Sequence, residues 1–262
     1  MRYIDIHAHL DDTAYDTDRA DVLRVLKEHE IGVITIGTTL QSSQQASELA
    51  RANTHVFACI GVHPDDGAGE IFIEKEYEAI LHPRVVGVGE CGLDYFRANK
   101  ADVYPQQKAL FEAQIQFAIS HNLPLMLHVR PRRGTCDAYH DALDILESYA
   151  REFPTLRGNS HFFAGDVAVA SRLFAIGFTI SFTGVITFAR EYDEVIQYAP
   201  LECIHAETDA PYVAPVPYRK ERNNPLYISE IVRRLAEIKG IQPEKLEDIL
   251  LNNAARLFNL GL

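Results

Sequence analysis

At 262 residues, with 47% apolar and 24% charged residues, the chain has ordinary globular composition and can bury a sizeable core without disulfides or structural metal. No window approaches 18 consecutive apolar residues, and the start Met1-Arg2-Tyr3-Ile4-Asp5 has no charged-then-apolar leader, so neither a membrane protein nor a secreted one is expected, and the expected compartment is the cytoplasm. Thirty-seven acidic residues against 25 basic ones give a formal net charge of −12, which argues against a protein that coats nucleic acid or an anionic membrane.

Short β-like runs alternate with helical patterns along the chain. A strand at 3–7 precedes a helix at 18–29 with apolar Val22, Leu23, Val25 and Leu26. Strands follow at 33–37, 56–60 and 85–89, then a helix at 104–121 carrying Leu110, Phe111, Ile115, Phe117 and Ala118. A strand at 123–128 leads to a helix at 137–149, and strands at 156–161, 178–181 and 203–207 complete the set. Several runs are continuously apolar, as parallel strands buried on both faces should be. Helices at 225–238 and 243–257 open at proline, a favoured first helical position. Eight strands with helices or loops between them predict an α/β fold, a (β/α)8 TIM barrel over 1–262 as one domain, closed by two C-terminal helices. An open doubly wound sheet is the other arrangement this alternation allows. The stretch 210–225 carries four of the twelve prolines and reads as a long structured loop after the eighth strand.

In such a barrel the functional groups stand at the C-terminal ends of the strands. There the sequence places His7 and His9, His63, Glu90, His128, His161, and Glu207 with Asp209. Residues i and i+2 of a strand face the same way, so His7 and His9 project side by side, as two imidazoles on one cation require. Alone the H-x-H pair says little, and a single His128 or His161 is more often a satisfied core histidine than a ligand. Their convergence at one rim is what points to a metal centre. Mixed imidazole and carboxylate donors suit zinc, manganese or another divalent ion, and a carboxylate bridging two ions about 3.5–4 Å apart makes a two-metal site. Gly87-Val88-Gly89-Glu90-Cys91-Gly92 also satisfies the dinucleotide fingerprint G-x-G-x-x-G. No helix opens after it and the next strand ends in histidine, so these glycines are read as letting backbone pass close to a metal site. Cys59, Cys91, Cys136 and Cys203 form no C-x-x-C pair and are read as reduced thiols.

Taken together, Asp5-x-His7-x-His9-Leu10, Gly61-Val62-His63-Pro64, Gly89-Glu90-x-Gly92-Leu93-Asp94-Tyr95, Leu127-His128-x-Arg130, His161-x-Phe163-x-Gly165, Glu207-Thr208-Asp209-Ala210-Pro211 and Asn253-x-x-Arg256-Leu257-Phe258 resemble the TatD family of metal-dependent deoxyribonucleases. The resemblance implies a TIM barrel of the amidohydrolase-like group with two divalent ions, magnesium, manganese or zinc. It implies that His7, His9 and Asp209 hold one ion, that His128 and His161 hold the other, and that Glu90 bridges both. Asp209 would also orient or deprotonate the attacking water, and His63 would contact the substrate near a phosphate. Glu207 would support Asp209 or its loop, and Asp5 would fix a ligand's orientation. The implied activity is metal-dependent cleavage of DNA phosphodiesters, often 3′-to-5′ exonucleolytic, on single strands or 3′ ends. The segment 129–136, with Arg130, Arg132 and Arg133, departs from the family's usual continuation and bears on specificity.

Three loops at the expected mouth, 91–103, 129–136 and 210–224, hold eight basic and three acidic residues. Tyr95, Phe96, Tyr212 and Tyr218 lie among them and could stack on bases, so Tyr95 and the three arginines join His63 as expected substrate contacts. The alternative reading is a hydrolase of a small ester, amide or lactone at the same metals, and a third is a non-catalytic metal-binding protein.

Overall fold

The chain is described by a computed structural model over residues 1–65 and 69–261. Its strands are β1 (Tyr3–Ala8), β2 (Ile31–Ile36), β3 (Val56–Ile60), β4 (Val85–Asp94), β5 (Leu125–Arg130), β6 (Gly158–Ser160), β7 (Phe178–Phe182) and β8 (Ile204–Ala206). They form one eight-stranded parallel sheet in chain order. The two edges meet at a single parallel bridge, Ala8 to Ala210, flanked by bonds from His9 N to Ala210 O at 2.7 Å and from Asp209 N to His7 O at 2.9 Å. The result is the nearly closed barrel that the alternation predicts, and not an open doubly wound sheet.

Between the strands lie α1 (Arg19–Glu28), α2 (Leu40–Ala52), α3 (Glu74–Glu78), α4 (Lys100–Ser120), α5 (Asp137–Glu152), α6 (Val167–Ala175) and α7 (Asp193–Tyr198), with α8 (Ile228–Lys239) and α9 (Pro243–Phe258) at the end. Local signals set their ends. Thr39 and Ser42 form a capping box on α2, Asp166 caps α6, and Pro243 opens α9. Helix α4 starts ahead of the predicted 104 because Asn99 caps it, and it carries Pro105 in its second turn, where the ring removes one intrahelical N–H. The predicted helix at 225–238 opens as a 3-10 turn, Pro225–Tyr227, before α8 begins.

Strand alternation divides the core. Residues such as Val33, Val88, Cys91, Leu93, Leu127 and Val129 pack outward on the helices. Ile4, Ile6, Ile34, Ile36, Phe57, Cys59, Val86 and Met126 pack together inside the barrel, which Ala254, Leu257, Phe258 and Leu260 close at its lower end. Below the rim the interior is therefore solid, and the open chemistry is confined to the C-terminal ends of the strands. The four cysteines are free thiols, Cys59 and Cys91 buried and Cys136 and Cys203 partly so.

Candidate metal centre

The longest strand builds the middle of the site. β4 continues five residues past the predicted end at 89, through a register shift between Val88 and Cys91. Cys91 and Leu93 pack outward, so Glu90, Gly92 and Asp94 face the barrel axis. Gly89 and Gly92 both have φ of +144°, and a Cβ at either would collide with the neighbouring strand, at Met126 O or His128 O. Glycine is required there because two backbones pass too closely for any side chain. The G-x-G-x-x-G run is thus part of a strand, with no nucleotide loop.

Around Glu90 the other strands deliver their side chains. A register shift between Asp5 and Ala8 in β1 brings His7 inward, and His9 follows. His128 comes from β5, His161 directly follows β6, and Asp209 sits at φ +55° just past β8. Asp209 is pinned beside β1 by the bond that closes the barrel. The carboxylate of Asp5 accepts from His7 N at 3.2 Å and Thr208 N at 2.9 Å, so it fixes the backbone carrying both His7 and Asp209.

Two groups of donor atoms result. On one side His7 Nε2 and His9 Nε2 lie 3.3 Å apart, with Glu90 Oε2 at 3.5 and 3.8 Å and Asp209 Oδ1 at 3.7 and 3.5 Å. On the other, His128 Nδ1 and His161 Nε2 lie 3.3 Å apart, each near Glu90 Oε1, at 2.7 and 2.8 Å. The outer ring nitrogens reveal the tautomers. His9 Nδ1 faces the carbonyl of Ile36 at 3.1 Å and His128 Nε2 faces Asp94 Oδ2 at 3.0 Å. His161 Nδ1 faces Glu207 Oε1 at 3.5 Å. The outer contacts of His9 and His128 turn the other nitrogen of each ring toward the carboxylate oxygens. A buried cluster of imidazole nitrogens and carboxylate oxygens this close together is a donor set that suits a divalent ion.

His63 differs. Its Nδ1 accepts from Asp65 N at 3.1 Å, so Nε2 holds the proton and faces Glu90 Oε1 at 3.7 Å. Burial and the charge of His128 lower its pKa to about 3. A neutral imidazole presenting N–H suits a substrate oxygen better than a metal. Burial would raise Glu90, but His161, His63 and His7 outweigh it and hold the carboxylate well below its usual range. Asp209 is likewise held low against burial by its bond to His9 and the charges of His7 and His161. Burial lowers His9, yet Asp209 and Glu90 bring it up to about 9.

The rim departs from expectation in several places. Tyr95 is not a substrate contact: it points away from Glu90, is fully buried, and its hydroxyl donates to Asp141 Oδ2 at 2.8 Å. Phe96 stands exposed at the end of β4 instead, with the Arg130 guanidinium 3.9 Å from its ring centroid. Arg132 is held by Asp137 at 2.6 Å and packs on its own loop, while Arg133 is exposed beyond it. Lys100 pairs with Asp141 at 2.6 Å and Arg222 with Asp18 at 2.6 Å, so acids outside the three mouth loops neutralise much of their charge. Glu207 supports His161, accepting from Phe162 N and Ser181 Oγ, and not Asp209. Asp94 was counted as a loop acid; pleat period places it two residues beyond Gly92, on the face of Glu90. A cavity of about 1320 Å³ lies at the lower end beside Pro124 and Arg157 and shares no residue with this centre. No helix there is long and apolar enough to cross a membrane.

The family model described as TatD-related DNase matches residues 4–259. The uncharacterized metal-dependent hydrolase YabD of Bacillus subtilis is 33% identical over 98% of this chain and 99% of its own length. The uncharacterized metal-dependent hydrolase TatD of Mycobacterium tuberculosis is 31% identical over 98% of each chain. Among solved structures, the TatD homologue YjjV of Escherichia coli K12 superposes with a TM-score of 0.87 at 26% identity, covering 99% of this chain and 98% of that one.

Proposed function

We infer the reaction from one premise: the chain belongs to the TatD-related DNase family, and is a metal-dependent hydrolase. We propose that it hydrolyses DNA phosphodiesters, at 3′ ends of single strands, with one ion held by His7, His9 and Asp209, a second by His128 and His161, and Glu90 shared by both. The observation that carries this reading is the pair of imidazole clusters gathered on the two oxygens of one carboxylate. Bound divalent ions supply Lewis acidity at the phosphate and lower the pKa of water. The chain's own residues do the rest. Asp209, held ionised beside His9, orients the attacking water and takes its proton. His63 Nε2–H donates to a phosphate oxygen. Arg130 and Phe96, together at the rim, favour a nucleotide over a small lactone or ester, because one binds phosphate and the other stacks on a base.

The test is a substrate panel on the manganese-loaded protein. A 3′-labelled single-stranded oligonucleotide should be shortened from its labelled end, and Glu90→Gln should abolish this together with ion uptake. Hydrolysis of lactones or carboxylic esters with an untouched oligonucleotide would refute the nuclease reading.

A further inference from the structure

The two rings of the second centre are not held alike. His161 offers Nε2 to the centre, whereas His128 offers Nδ1 and turns Nε2 outward. A ring can ligate through Nδ1 only while its proton is kept on Nε2, so something must hold it there. Among the described residues it is Asp94 that stands at that nitrogen, its Oδ2 at 3.0 Å. Asp94 is itself immobilised. Its Oδ1 accepts from Phe96 N at 2.8 Å, its N–H donates to Gln107 Oε1 at 3.0 Å, and its carbonyl accepts from Gln107 Nε2 at 3.0 Å. Gln107, buried on α4, also donates to Pro64 O at 3.3 Å, next to His63. One helix side chain therefore fixes Asp94 against the segment carrying His63.

We propose that Asp94 is the positioning residue of the second metal centre, fixing the tautomer of His128 so that Nδ1 presents a lone pair to the ion. The proposal rests on the reading that His128 and His161 hold an ion. It makes an unusual forecast for the isosteric change. In Asp94→Asn the Phe96 N–H still needs an oxygen, so the amide oxygen takes the Oδ1 place and the NH2 group faces His128. His128 Nε2 must then accept, its proton moves to Nδ1, and the ligating lone pair is lost. Asp94→Ala merely leaves the ring free to choose.

The experiment is calorimetric titration of the metal-free protein with Mn²⁺ alone, for the parent, Asp94→Ala and Asp94→Asn, with circular dichroism to establish folding. The parent should take up two ions. Asp94→Asn should weaken one of them by about 10–100-fold, leave the other within about twofold, and be worse than Asp94→Ala. Long-range ¹⁵N–¹H spectra of the zinc-loaded parent should show His128 protonated at Nε2. A merely space-filling role predicts the opposite order, with Asn milder than Ala. That order, or two undiminished ions in Asp94→Asn, overturns the proposal and leaves the two-metal reading standing. A parent that binds a single ion overturns both. A variant that fails to fold leaves the zinc-loaded parent's spectrum to decide, and a proton on His128 Nδ1 there overturns the proposal.

Discussion

If the substrate is a DNA strand, its grip should be measurable at Phe96 and Arg130 and nearly absent at Arg132. Phe96 is 46% exposed, and the Arg130 guanidinium lies 3.9 Å from its centroid. Base–aromatic stacking contributes about 1–3 kcal/mol per base. With part of the ring already covered, the lower end applies, and about 1 kcal/mol corresponds to roughly a fivefold weaker Kd for Phe96→Ala. Arg130→Ala removes one cation within reach of the backbone, which should flatten the slope of log Kd against log salt by about 0.7 for a single strand. Arg132 is spoken for by Asp137 at 2.6 Å, so Arg132→Ala should leave the slope where it was. Fluorescence anisotropy of a labelled oligonucleotide in EDTA, across about 50–200 mM salt, reads all three without hydrolysis. An oligonucleotide with an abasic terminal position supplies the control, because it has no base for Phe96 to stack on. Equal slope changes for Arg130→Ala and Arg132→Ala would refute the charge reasoning. A Phe96→Ala loss that is as large on the abasic strand would refute the stacking.

Tyr95→Phe should lower stability by about 1–2 kcal/mol through its lost bond to Asp141, read as a urea midpoint, with KM for the oligonucleotide unchanged. Burial, then Arg256, lowers the pKa of His205 to about 3, so the unfolded chain binds more protons here than the folded one below the ordinary value of 6.5. The stability from this group is therefore present above about pH 6.5 and is lost as pH falls; from pH 7 to 5 the loss is about 2 kcal/mol. Chemical unfolding at the two pH values should show that much less sensitivity in His205→Gln than in the parent; an unchanged difference would sink this account. Mn²⁺ at about a hundred times its Kd should add ~2.7 kcal/mol, visible as a rise in Tm that EDTA reverses. A Tm indifferent to Mn²⁺ would count against the centre.

The barrel was legible because its strands are buried on both faces and so read as unbroken apolar runs separated by helices of fitting length. Where a strand lacks that character the reading faltered. β4 was ended at Gly89 because Glu90-Cys91-Gly92-Leu93-Asp94 alternates polar and apolar residues, the pattern of a strand whose inner face has become a polar site. Pleat alternation with Glu90 inward places Cys91 outward, and carried three and four residues beyond Cys91 it turns Asp94 inward and Tyr95 outward. The partners of the mouth arginines were not legible at all. Asp141, Asp137 and Asp18 lie on or at the ends of helices whose approach to the rim depends on packing across the whole barrel. His63's role as a donor, too, depended on a backbone N–H from Asp65 that no spacing rule announces.

The seam between the first and last strands carries a further consequence. The bonds that close the barrel, and the contact of Asp5 with Thr208 across 203 residues of sequence, lie where His7 and His9 meet Asp209. Half of one centre is thus made about two hundred residues of synthesis before the other half. The centre cannot assemble on a nascent fragment, and loop closure of this length is slow to recover its entropy. An ion bound by His7, His9 and Asp209 would act as a clasp between the two ends of the barrel. Metal supply would then set how long newly made chains remain exposed to proteases, as well as how fast the finished enzyme turns over.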